Sequence, residues 1–197
     1  MDSDGYLSQL ADIFNGITVN TPSISAIIAI VLAGVLLLAS GFASASEIAF
    51  FSLTPSDRND IDEQNHPSDE KISALLGDSE RLLATILITN NFVNVTIIML
   101  CNFFFMNVFV FHSPLAEFLI LTVILTFLLL LFGEIMPKIY SAQKTLAFCR
   151  FSAPGIYFLE KLFRPVATVL VRSTTFLNKH FVKKSHNISV DELSHWS

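Results

Sequence analysis

Three sets of polar residues interrupt an otherwise apolar chain. The sharpest is Gly133-Glu134-Ile135-Met136-Pro137-Lys138, which closes the uncharged and almost wholly apolar run Phe118–Phe132. A carboxylate at the end of such a run is costly unless a cation or a watery cavity compensates it. Pro137 has no N–H, so in a helix that holds its course the carbonyl four residues back, Gly133's, is left free. One carboxylate and one free carbonyl are hard oxygen donors, better suited to Mg²⁺ or Ca²⁺ than to zinc or copper. The alternative for Glu134 is an interfacial acid paired with Lys138 one turn on.

The second set lies in Ala39-Ser40-Gly41-Phe42-Ala43-Ser44-Ala45-Ser46-Glu47, where small residues follow the bulky run Ile27–Leu38. Ser40, Ser44 and Glu47 share a helix face at i, i+4 and i+7. Ser40-xxx-Ser44 and Gly41-xxx-Ala45 also fit close helix packing. A lined polar cavity and a tight interface are compatible, because a dehydrated ion needs a close-packed surround. The third set is Thr89, Asn90, Asn91, Asn94 and Thr96. Asn90 and Asn94 fall on one face and Asn91 roughly 100° away; hydrogen bonding between helices is the plain alternative, at about 0.6 kcal/mol per contact.

The elements that must carry these residues follow from charge spacing. The chain has 197 residues, 52% hydrophobic and 15% charged, with 19 Phe, and its mean hydropathy is +0.60. A soluble domain carries roughly 25% charged residues. Ile13–Ser46, Leu82–Ala116 and Phe118–Gly133 contain no charge; each holds at least the roughly 15–20 apolar residues of a spanning helix, though the third is short without its polar flanks. Arg58, Lys71 and Arg81 lie between the first and second spans, and the other nine basic residues run from Lys138 to Lys184. The positive-inside rule places the N-terminus outside and the C-terminus in the cytoplasm. The expected fold is an all-α membrane protein of three transmembrane helices, about 24–53, 82–110 and 115–136, plus amphipathic juxtamembrane helices. All three polar sets then fall in the cytoplasmic half of the bilayer, where one cation could be shared.

Ala43-Ser44-Ala45 resembles a leader cleavage site, but the preceding residues hold Asp2, Asp4 and Asp12 and nothing basic, so the first span is retained. Asn94-Val95-Thr96 and Asn187-Ile188-Ser189 read as chance glycosylation matches. Cys101 and Cys149 read as reduced packing residues. A net charge of −5 without a long basic cluster argues against nucleic acid. There is no nucleophile–base pair and no glycine-rich phosphate loop, so no enzyme is expected.

Residues 1–23 read as an exterior segment with Tyr6, Leu7, Leu10, Ile13 and Phe14 at helical spacing, and Thr21-Pro22-Ser23 as a helix start with Pro in the first turn. In the loop Thr54–Arg81, Ser56 or Asp57 is the expected cap of a short helix, Asn65-His66-Pro67 breaks it and Asp69–Leu76 forms another, with the charges on a solvated face. Asp78-Ser79-Glu80 caps the second span. From 145 to 184, apolar stretches broken by Arg150, Pro154, Glu160-Lys161, Arg164-Pro165 and Arg172 suggest separate amphipathic pieces lying along the membrane.

Ser40–Glu47, Asp78–Asn94 and Gly133–Lys138, in this order and spacing, resemble the three signature blocks of the cyclin-M/CorC (also CorB) transmembrane domain, over about residues 24–185. That resemblance implies a homodimer of three-span protomers in a cell membrane, the inner membrane in a bacterium, with a juxtamembrane belt and Mg²⁺ transport, generally sodium-linked export with Na⁺ as coupling ion. It assigns side-chain oxygens of Ser44, Asn90 and Glu134 and the Gly133 carbonyl to the Mg²⁺, with Ser40, Asn94, Glu47 and Pro137 as neighbours. The sequence departs from the pattern at Thr89, where Gly is common, and at Ala43, where a bulkier residue is common; both bear on the packing around the ion. Ser189-Val190-Asp191-Glu192-Leu193 resembles the acidic helix leading to cytosolic CBS modules, so residues 185–197 read as the start of that linker and the chain as an excised membrane domain. A membrane scaffold that keeps the fold without transporting, such as a gliding or secretion accessory, is the competing expectation.

Overall fold

The computed structural model describes the backbone of residues 18–110 and 114–193, and the side chains of 18–110 and 117–173. It divides into two compact units: residues through Leu53 with Thr89–Cys149, and Thr54–Ile88 with Arg150 onward. Three of its helices are long and apolar enough to cross a membrane, Ile24–Phe51, Ser79–Val108 and Glu117–Gln143.

In the first unit, helix α1 (Ile24–Phe51) starts on Ser23, whose hydroxyl accepts the Ala26 N–H at 3.2 Å. Pro22 therefore precedes the cap instead of standing in the first turn. A short strand pair not foreseen from the sequence fastens this end. β1 (Thr18–Val19) pairs antiparallel with β2 (Phe109–Val110), and the Asn20 N–H donates to the Val108 carbonyl at 2.7 Å. The Ser23 hydroxyl also donates to Asn107 Oδ1 at 3.0 Å. The expected helical spacing from Tyr6 to Phe14 lies outside the described residues.

The two halves of α1 behave differently. Ile24, Ile28, Val31, Val35 and Leu38 are exposed, as lipid-facing residues must be. Ser40, Gly41 and Ala43–Ser46 are all buried, and their small side chains let neighbouring helices approach. Ala33 packs with Val93, Ile97 and Cys101 of helix α4 (Ser79–Val108) and with Leu125 of α5 (Pro114–Leu128). Cys101 thus serves as a packing residue.

The third span does not hold an α-helical course. After α5, residues Leu129–Ile135 form a π-helical stretch, followed without a break by α6 (Met136–Gln143), so the span runs beyond its expected end at 136. The Met136 N–H reaches back five residues to the Leu131 carbonyl. In a straight α-helix the Pro137 ring would press on the carbonyl four residues back; the wider turn relieves that clash.

In the second unit, α2 (Pro55–Asp62) is capped by Thr54, not by Ser56 or Asp57. The Asp57 N–H donates to Thr54 Oγ1 at 3.2 Å while Asp57 Oδ2 accepts the Thr54 N–H at 2.9 Å, a reciprocal box. α3 (Asp69–Leu76) has its expected bounds. Asp78 caps α4, accepting the Arg81 N–H at 3.2 Å.

The loop charges do not all face solvent. Asp69 is fully buried and takes two bonds from Arg150, Nε at 2.8 Å and Nη2 at 3.0 Å, and a third from the His66 N–H at 2.9 Å. Burial pushes its carboxyl up, but the Arg150 hydrogen bonds, the His66 N–H and the Arg150 charge outweigh this and hold it below the usual carboxylate range. Nor is the stretch after 145 a set of separate pieces: α7 runs from Thr145 to Leu193 with Pro154 and Pro165 inside it. Each interior proline costs about 3 kcal/mol, which this long helix absorbs without ending.

Candidate functional site

α1 packs on the π-helical stretch and on α6, and two glycines make that approach possible. A Cβ on Gly41 would stand 3.0 Å from Pro137 Cγ and 3.3 Å from the Phe132 carbonyl oxygen. A Cβ on Gly133 would stand 3.1 Å from Ser40 Oγ and 3.6 Å from Leu37 Cδ1. The glycine that begins the Gly133–Lys138 motif is therefore drawn up close to Ser40 of α1. The proline of the motif touches the residue following that serine.

α4 reaches the same point. Ser40 Oγ lies 2.8 Å from Asn90 Oδ1 and 2.7 Å from Asn94 Oδ1. Asn90 and Asn94 thus share a face as their spacing requires, while Asn91 is exposed. A serine hydroxyl has one proton and can donate to only one of the two carbonyls. Three oxygens held this close with one proton between them form a set rich in acceptors, and ordinary hydrogen bonding leaves it one donor short. Turning either amide supplies an N–H to Ser40 and aims that amide's oxygen elsewhere.

Ser44, one turn along α1, is fully buried, and its hydroxyl has no hydrogen-bond partner. Ser46 shows what a helical serine usually does, donating to the Phe42 carbonyl at 2.7 Å. A buried polar atom left unpaired costs roughly 1–3 kcal/mol, so the Ser44 hydroxyl does not add to stability where it stands. Glu134 is partly buried and has no ion pair or side-chain hydrogen bond to any described residue. The Lys138 ammonium, which the sequence offered to Glu134 as a partner, lies instead 3.1 Å from Glu47 Oε2 on α1.

The structure therefore joins Ser40, Asn90 and Asn94 by direct contact, and brings Gly133 so near Ser40 that only a residue without a Cβ fits there easily. Ser44 stands a turn beyond Ser40 on the same face, and Glu134 follows Gly133 in the chain. Ser40, read only as a neighbour, is the point on which the three helices meet. Sequence reasoning missed the Glu47–Lys138 pair, and its one available signal was the position of Glu47 on the Ser40–Ser44 face. Among the described residues no three of His, Cys, Asp and Glu cluster. The donors here are hydroxyl, amide and backbone oxygens with one carboxylate, a set suited to a hard cation.

The model of the cyclin M transmembrane N-terminal domain matches residues 29–197. A protein of Haemophilus influenzae (strain ATCC 51907 / DSM 11121 / KW20 / Rd), described as "UPF0053 protein", is 31% identical over 134 residues, which cover 68% of this chain and 31% of the relative. The chain spans under a third of the length of that curated relative.

Proposed function

The chain belongs to the cyclin M transmembrane family, and on that premise we propose that it carries Mg²⁺ across a membrane through a site between its three spanning helices. Membership supports membrane ion transport at the level of the family. The observation that carries the finer reading is the convergence on Ser40 of Asn90, Asn94 and Gly133, beside a buried Ser44 hydroxyl with no partner. Ser44, Asn90, Glu134 and the Gly133 carbonyl are the proposed donors. Ser40 and Asn94 hold Asn90 in place, and Pro137 holds the motif against α1.

The chemistry asked of such a site is modest. Mg²⁺ sheds water reluctantly, so fixed oxygens must stand in for part of its hydration shell. One carboxylate against a divalent ion leaves the charge only half neutralised. Binding is then favourable enough for entry and weak enough for release, as conduction requires. The N-terminus is placed outside by the positive-inside rule, which puts the donors near the inner leaflet. Sodium-linked export, a homodimer and cytosolic CBS modules belong to the same proposal.

The test is thermal unfolding of the purified protein with and without MgCl₂. A ligand at a hundred times its Kd stabilises by about 2.7 kcal/mol, worth several degrees for a chain of this size. Glu134→Gln abolishes the gain; a variant that keeps it removes Glu134 from the site. Flux of Mg²⁺ into liposomes holding the full-length protein, with and without a Na⁺ gradient, tests transport and coupling.

A further inference from the structure

Lys138 follows Glu134 by four residues in one continuous helix, a spacing at which side chains are neighbours. Its ammonium is nevertheless committed to Glu47 at 3.1 Å, across to α1, and Glu134 has no such partner among the described residues. Glu47 by contact and Glu134 by its spacing are thus two carboxylates that one flexible four-carbon stem can serve. Glu47 also lies on the face of α1 that carries Ser40 and Ser44.

We propose that Lys138 is a tethered counter-ion that exchanges between Glu47 and Glu134 as the divalent ion comes and goes. The inference rests on the reading of Glu134 as a Mg²⁺ donor. While Glu134 binds the ion, an ammonium beside it is repelled, and Glu47 holds that ammonium away. When the ion leaves, a bare carboxylate remains at the end of an apolar helix, which is costly. Lys138 then turns to Glu134 and neutralises it. Glu47 and Glu134 compete for one cation, so each pairing has a direct consequence for the affinity of the other site. Lys138 is a specificity and release element here and not a ligand.

The experiment is a MgCl₂ titration of thermal stability for the wild type and the Glu134→Gln, Glu47→Gln, Lys138→Gln and Glu47→Gln/Lys138→Gln variants. Partly exposed ion pairs are worth up to about 1 kcal/mol, a factor of roughly five. Glu47→Gln frees Lys138 to compete for Glu134 and raises the half-saturating Mg²⁺ about two- to fivefold. Lys138→Gln removes the competitor and lowers it by a similar factor. The double variant follows Lys138→Gln, because Glu47 matters only while the lysine is present. Lys138→Met replaces Lys138→Gln if the latter does not fold.

A pair that merely fastens α1 to α6 gives a different pattern. Both single variants then lose stability in EDTA and shift the titration in the same direction or not at all, which overturns the proposal. A wild type unmoved by Mg²⁺, or a Glu134→Gln variant still stabilised by it, overturns the underlying site, and the counter-ion role falls with it.

Discussion

The contact between α1 and the Pro137 turn can be weighed against a control on the same helix. Gly34 and Gly41 both lie within α1; a Cβ on Gly34 meets nothing within 4 Å, whereas on Gly41 it stands 3.0 Å from Pro137 Cγ and 3.3 Å from the Phe132 oxygen. Replacing glycine by alanine inside a helix gains roughly 0.8–1 kcal/mol in either place. Gly34→Ala keeps that gain. At Gly41 the added carbon must push a proline ring and a backbone carbonyl, neither of which swings aside as a long side chain does. Overpacking of this kind costs about 1–3 kcal/mol. Because the propensity gain cancels, the difference between the two variants is the overpacking cost alone, about 1–3 kcal/mol. At roughly 2–4 °C per kcal/mol, thermal unfolding in detergent resolves it. Gly41→Ala also weakens the Mg²⁺-dependent gain, since the motif carrying Gly133 and Glu134 is seated through that contact. Equal melting temperatures for the two variants would refute the close approach of α1 to Pro137, and with it the positioning of the site.

Two further outcomes follow from buried polar groups. Ser44→Ala is expected to raise stability in EDTA by about 1 kcal/mol or more, because it removes an unpaired buried hydroxyl, and to lose the response to Mg²⁺. Ser46→Ala gives up its bond to the Phe42 carbonyl and loses about 0.5–1.5 kcal/mol, so calorimetry in EDTA should place the two serines on opposite sides of the wild type. Asp69, whose carboxyl is held below its ordinary range, contributes stability that is present above the unfolded value of about 3.9 and lost as pH falls through the lower folded value. Asp69→Asn removes that acid-side loss and leaves Arg150 without its carboxylate. The cost at neutral pH is near the lower end of the roughly 3–5 kcal/mol for breaking a buried pair, since the Arg150 side chain is 23% exposed. Unfolding followed from pH 3 to pH 7 checks both effects.

What the sequence made legible was whatever depends on burial pattern and depth. Charge-free runs mark the three spanning helices because a charge at mid-membrane is expensive wherever the chain then goes. The bulky-to-small change at Ala39 marks where α1 turns from exposed to packed, since only small residues allow that approach. Asn90 and Asn94 are four apart, and that alone puts them on one face; their agreement in depth with Ser40 and Glu134 pointed to a meeting of helices. The meeting at Ser40 follows that argument, although the serine at the centre is the one read as a neighbour.

The remainder depends on partners that spacing along the chain cannot supply. Within Phe118–Phe132 nearly every residue is apolar, so no periodicity remains to distinguish a 3.6-residue turn from a wider one; the π-helical stretch becomes visible only through the Met136-to-Leu131 bond. Lys138 illustrates the same limit in electrostatics. Local spacing offers Glu134, four residues away, but the fold decides which carboxylate the lysine meets. Glu47, on the helix that the glycine contacts bring alongside, takes the ammonium at 3.1 Å. Asp69 repeats the pattern, since a carboxylate in a charged loop looks solvated until Arg150 arrives from a distant part of the chain. In each case the sequence identifies the groups that carry charge, and the fold decides which are spent on one another. Among the described residues Glu134 is left unspent.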